Sequence, residues 1–199
     1  MTTQIQDNMP MIGVEDLHFA KPIDGGYDTP VLFPRVKQIG LKNKIQSLKL
    51  YGDNRLFYKV NDVDCVDVTI TTNDLTDDEE AYLLGHELDP NGGIIYKSTD
   101  HSPVVCMLFR ALKANGEYRY MILYGGQFEP YDDDIKGQEG KSTPSYKKLK
   151  GTFMPLENGL YKHKFDSDSP NVTQEKIDNF FKKVYIPGEK LGESNKASK

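Results

Sequence analysis

Glu80, His86, Glu87 and Asp89 could be read as a metal cluster. Carboxylates and an imidazole this close together would suit zinc or another divalent cation. A zinc-peptidase helix needs a second histidine four residues after the first, and position 90 is Pro, which also resists helix. His86 therefore reads as a packing or capping residue. Asp132, Asp133 and Asp134 could offer oxygen ligands, but DDDIKGQEG lacks the alternating acids and closing Glu of a calcium loop. It reads as a solvated acidic loop. No G-x-S-x-G and no G-x-x-x-x-G-K-[ST] occurs, so neither an elbow serine nor a phosphate loop is on offer. Cys106 lies between Val105 and Met107 in an apolar strand pattern, a poor setting for an activated thiolate. Lys147, Lys148 and Lys150 follow Tyr146, but Lys148 and Lys150 share one strand face and Lys147 points away. Their simplest role is to protect a solvated strand or edge from mispairing. These residues predict no enzyme, no metal site and no cofactor.

The elements that must carry these residues are mostly strands. Val66, Val68 and Ile70 alternate with Asp67, Thr69 and Thr71, the period of a half-buried strand. Thr76 and Glu79 then spell a T-x-x-E capping box. Asp77, Asp78, Glu79 and Glu80 crowd the first turn, where the helix dipole favours acids. Gly85 follows Leu84 as a left-handed stop, which predicts a helix over 76–84. A short strand is expected over 14–20. Three hairpins are expected: 40–51 with 55–60 around Gly52-Asp53-Asn54, 104–111 with 118–124 around Asn115-Gly116, and 146–154 with 160–165 around Asn158-Gly159. The middle hairpin is apolar on both faces, which predicts central strands covered above and below. Ile177, Phe180, Phe181 and Val184 make one apolar stripe, predicting a helix over 173–184 that docks on a sheet.

Two helices and about eight strands imply a mainly-β fold, a β-sandwich or squashed barrel with one or two flanking helices. One domain is expected over 14–186, between an N-terminal arm over 1–13 and a disordered polar tail over 187–199. Residues 129–143 read as a polar loop. Residues 24–37 read as an extended loop whose Val31, Leu32, Phe33 and Val36 are too apolar to stay solvated. They must lie on this chain's own core or on a neighbouring subunit.

Composition limits the partners. The 199 residues carry a net charge of −5, with 28% charged residues. A mildly acidic chain does not advertise nucleic-acid or anionic-membrane binding, since both favour basic patches. No segment approaches the ~18 apolar residues of a bilayer span. The first residues lack the basic and apolar regions of a secretory signal. Cys65 and Cys106 read as buried free thiols in a protein made in the cytosol.

Four pieces in order resemble the major tail protein family of long-tailed, non-contractile phages, the tail-tube subunit. The first is YGDNRLFYKVNDVDCVDVTITTNDLTDDEEAYLLGHELD, residues 51–89. It is similar to that family's hairpin, alternating strand and acidic helix ending in Leu-Leu-Gly-His. The second is PVVCMLFRALKANGEYRYMILYGGQFEP, residues 103–130. The third is GTFMPLENGLYKHKFDSD, residues 151–168, and the fourth is the short helix after it. The resemblance covers most of residues 39–186 and implies two packed sheets with a flanking helix. It implies self-association into six-fold rings that stack into a tube, with a tape-measure protein, a tail terminator and tail-tip proteins as partners. It also implies transient passage of double-stranded DNA and a place in the virion tail, assembled in the host cytoplasm. It favours Val31, Leu32, Phe33 and Val36 as subunit-interface residues. A conduit wall should repel phosphate, so Asp62, Asp64 and Asp67 are candidates to face the lumen. Two other functions remain open. One is a single-ring tail component such as a terminator or baseplate protein. The other is a carbohydrate- or host-surface-binding sandwich using Tyr124, Tyr131 and Tyr146.

Overall fold

The computed structural model describes residues 9–132 and 145–188. The fold is mainly β, with one large antiparallel sheet and two short helices. Strand β1 (Met11–Ala20) is followed by three two-residue strands, β2 (Pro22–Ile23), β3 (Gly26–Tyr27) and β4 (Val31–Leu32). Two long strands come next, β5 (Val36–Gly52) and β6 (Arg55–Thr72), and then helix α1 (Asp77–Leu84). A small ladder pairs β7 (Glu87–Leu88) with β8 (Ile94–Ile95). The chain continues through β9 (Val105–Lys113), β10 (Tyr118–Phe128), β11 (Lys147–Phe153), β12 (Lys162–Asp166) and α2 (Gln174–Asp178). The main sheet runs β4-β1-β9-β10-β11-β6-β5, with β12 also paired to β10.

The central pair is apolar on both faces because both faces are covered. Val105, Met107 and Phe109 join Met121 and Leu123 in one core, with Phe19, Phe33, Val66, Val68, Ile70, Leu83, Leu149 and Phe153. Strands from both ends of the sheet share that core, so the sheet must curl around it. Cys106, Leu108, Tyr120, Ile122 and Tyr124 face the other way and meet Phe165, Phe180 and Val184 of the C-terminal segment. Burial pushes the Cys106 thiol well up, which keeps it neutral and unreactive.

Helix α1 has the cap its sequence predicts. The Thr76 hydroxyl accepts from the Glu79 amide, the Glu79 carboxylate accepts from the Thr76 amide, and Gly85 closes the helix at φ 77°. Leu83 and Leu84 anchor it in the first core.

The structure corrects several expectations. Strand β1 begins at Met11, inside the expected arm. Residues 55–60 and 66–71 belong to one continuous strand, β6. The third expected hairpin does not form, although its turn does, because Leu156 and Leu160 are bonded backbone to backbone. Instead β12 pairs with Arg119–Leu123 of β10, and β11 pairs with Gly126–Phe128 on the same edge. A bulge between Leu123 and Gly126, with Gly125 at φ 64°, separates the two partners. The last helix is only Gln174–Asp178; it ends at Asn179, and turns carry Phe180 and Val184 onto the sheet.

Residues 24–37 are not a free loop. Val31 and Leu32 pair with Phe19 and His18 at the sheet edge. Phe33 is 4% exposed and meets Phe19 edge-on at 4.8 Å between ring centroids. It is a core residue, not an interface residue. Val36 starts β5 opposite Thr72 and is half-buried against the same core. Only Val31 and Leu32 keep about half of their surface exposed, at 45% and 49%. The expected tail from 189 on, residues 1–8 of the arm and residues 133–144 of the polar loop lie outside the described residues.

Candidate assembly surface

The residues best placed for chemistry are engaged in structure. The Glu80 carboxylate is buried and accepts from the Tyr96 and Tyr131 hydroxyls at 2.8 and 2.7 Å. His86 Nδ1 lies 2.7 Å from Asp100 Oδ2, and its ring meets Tyr96 at 4.6 Å. The Lys97 amide and His86 hold the Asp100 carboxyl below its usual value of 3.8. Glu87 pairs with Lys97. Among the described residues no three His, Cys, Asp or Glu side chains could hold a metal ion. Asp133 and Asp134 lie outside that set.

Sequence reasoning missed a charged cluster. Lys113 is 2% exposed, with its ammonium 2.6 Å from Asp168 and 3.6 Å from Asp166. Arg119 reaches Asp166 through Nε at 2.6 Å and through its fork at 2.8 Å. These contacts hold both carboxyls below their usual values, chiefly through Arg119 for Asp166 and Lys113 for Asp168. Each carboxylate is some fifty residues from its cation in sequence, so no local pattern betrays the cluster.

The three tyrosines of the carbohydrate reading do not converge. Tyr124 is buried, with its hydroxyl donating to the Tyr185 carbonyl. Tyr131 packs against the other core and binds Glu80. Tyr146 lies under the Lys37 ammonium at 3.6 Å.

Among the described residues, the part with the most exposed apolar side chains is the hairpin of β5 and β6. Its strands pair from Val36–Thr72 to Gly52–Arg55, and Asp53 and Asn54 turn it with φ of 49° and 59°. Two consecutive positive φ values make the tight turn that matches strand twist, and Asp and Asn tolerate them. At its base, Ile39, Leu41, Val66, Val68 and Ile70 face the first core. Beyond Lys44 the hairpin leaves the rest of the sheet, since β11 pairs only with residues 66–72 of β6.

The apolar pattern changes face on this arm. Ladder partners share a face, and successive residues alternate. Counting outward from the core face gives Val63 with Ile45, Asn61 with Ser47, Lys59 with Lys49 and Leu56 with Tyr51. The opposite face carries Asp67 with Lys42, then Cys65 with Lys44, Asp62 with Gln46, Val60 with Leu48 and Tyr58 with Leu50. The apolar cluster of the arm, Leu48, Leu50, Tyr58 and Val60, thus sits on the outer face, away from this chain's own core. Extra residues in β6 at Asp64 and Phe57 mark the two register shifts, and Phe57 is 82% exposed.

The lumen candidates separate. Asp62 and Asp64 are exposed on the arm. Asp67 is half-buried and pairs with Lys44 at 3.0 Å. Its outer face also holds Lys42 and, through the β11 ladder, Lys148 and Lys150. Asp67 therefore cannot give this face an acidic character, because lysines outnumber it.

Between β1 and β5 a groove of about 540 Å³ has an apolar floor including Ile39, Phe109 and Met121, with Lys37, Lys162 and Lys164 among its walls. No family model matches the sequence, and no curated protein matches it.

Proposed function

We propose that this chain is the major tail protein of a long-tailed phage, a structural subunit that polymerises as stacked rings, six copies per ring, into a tail tube. The observation that carries the reading is the β5–β6 arm. Leu48, Leu50, Phe57 and Tyr58 stand exposed on a strand pair that no element among the described residues covers. Contiguous exposed apolar surface of this kind marks an interaction site, and identical neighbours are the simplest source of cover in an assembling subunit. The four-part sequence resemblance supports the same assignment. The tube would surround a tape-measure protein, end on terminator and tail-tip proteins, and pass DNA through its bore. Its place is the virion tail, after assembly in the host cytoplasm. No catalytic step is part of this role.

Negative-stain electron microscopy of the concentrated protein tests it. Hollow tubes with a regular axial repeat are expected. Rings that never stack would replace this reading with a single-ring terminator or baseplate part. A chain that stays monomeric when mixed with tail-tip and tape-measure proteins would end the tube reading.

A further inference from the structure

The turn end of the arm carries Lys49, Arg55 and Lys59 with one carboxylate, Asp53, and the chain beyond the other end of β6 is acidic, with Asp74, Asp77 and Asp78. On the core-side face of the arm, Lys49 stands directly across from Lys59. Like charges directly opposed in a ladder destabilise a hairpin. Neither lysine, nor Arg55 beside the turn, has an ion-pair partner among the described residues. The next pair on the same face, Tyr51 and Leu56, is exposed. This tip therefore combines an excess of unpaired cations, three against the carboxylate of Asp53, with a bare apolar pair, a combination that an acidic and apolar surface would complete.

Such a surface exists at the other end of the same strand. The chain leaves β6 at Thr72 and enters α1. Arg35 neutralises Glu79 and Lys97 neutralises Glu87. Asp74, Asp77, Asp78 and Asp89 have no cationic partner among the described residues. Leu88 and Tyr96 are exposed beside them, on and next to the β7–β8 ladder. An 18-residue strand spans roughly 55 Å, so one copy cannot bring its own tip to its own acidic end.

We propose that the Lys49–Lys59 face of one copy docks on the α1–β7 end of the next copy. This deepens the tail-tube reading and rests on it for its setting. The contact joins different patches on the two partners, so it propagates head to tail instead of closing as a symmetric pair. It leaves the outer apolar cluster, Leu48, Leu50, Tyr58 and Val60, for a second neighbour. Because its cations and carboxylates are exposed, the contact weakens with salt.

Charge reversal in the full-length chain tests it by sedimentation velocity. The variants are K49E/K59E and D77K/D78K, with thermal unfolding to confirm that each is folded. Each alone should need about tenfold more protein to associate than the wild type, equivalent to one decade in the association constant. An equimolar mixture should associate like the wild type, because every contact in an alternating chain then joins opposite charges. Single variants that associate as the wild type does would overturn the docking, as would a mixture that stays monomeric or stops at a dimer. Wild-type tubes alongside a monomeric mixture would remove this contact and leave the tail-tube reading standing. A mixture that associates into chains, with a wild type that forms filaments but no hollow tubes, would keep the contact and remove the tube.

Discussion

Strand β9 and the arm of β5–β6 are both rich in large apolar side chains, yet every residue from Val105 to Phe109 is buried while Leu48, Leu50, Leu56, Phe57 and Tyr58 are exposed. In β9 the covering elements are supplied by the same chain: α1 and the sheet's own ends on one side, the C-terminal segment on the other. On the arm no element among the described residues covers the outer apolar cluster, because the extra residue at Asp64 turns Val60 and Tyr58 away from the face that Val66 and Val68 take. Apolar content alone therefore does not mark a core. Which face the side chains take relative to the chain's own elements decides whether they fold this molecule or join it to another.

Substitutions at the two places should therefore separate stability from association, and this is the largest expected effect. Leu123→Ala empties a fully buried site and should cost about 2–5 kcal/mol in chemical denaturation. Leu50→Asn with Tyr58→Asn removes an exposed cross-strand apolar pair and should change stability by about 1 kcal/mol at most. The same pair should abolish tubes in electron micrographs and leave a monomer in sedimentation. A Leu50/Tyr58 variant that unfolds would show that the arm belongs to the core after all.

A finer version of the comparison lies within two adjacent residues. Leu32 is exposed at the sheet edge, while Phe33 enters the core and its amide donates to the Leu17 carbonyl at 2.7 Å. Phe33→Ala should cost about 3 kcal/mol or more, whereas Leu32→Ala should stay within ~0.5 kcal/mol. Thermal unfolding of the two variants checks this. Equal costs would mean that the edge strand, not the Phe33 ring, holds the segment.

The same contrast explains what could be read from sequence. The mainly-β class, the α1 cap and the two-faced β9–β10 pair rest on local pattern: alternation, a capping box and an Asn-Gly turn. The arm was harder. Its apolar residues change face at a bulge, and Asn61, Asp62 and Asp64 interrupt the alternation, so one 18-residue strand reads as two. The choice between core and interface for Phe33 depended on pairing with β1 across a turn, which no local spacing encodes. The separation of β11 from β12 depended on β10 offering one edge to both. The candidate surface was legible as the hairpin that contains it, but not as an exposed face, because exposure is a property of where the sheet ends.

The Lys113 cluster gives the smallest and most conditional effect. Lys113→Met keeps the buried stem and removes the ammonium between Asp166 and Asp168. Asp166 keeps Arg119, and Asp168 keeps the Asn115 amide at 3.2 Å. The loss at neutral pH should be about 1–2 kcal/mol, less than for a pair stripped of every partner, because both carboxylates are partly reached by solvent. The pH dependence fixes the sign. Both folded carboxyls titrate below their usual value of 3.8, so under acid the unfolded chain binds protons first. Their stabilisation is complete above that value and is lost as the pH falls through the lowered folded values. Denaturation curves of the wild type and Lys113→Met should accordingly lie apart at neutral pH and converge as the solution is acidified below 3.8. Curves that stay parallel through that range would assign the Lys113 contribution to packing of its stem and not to its charge.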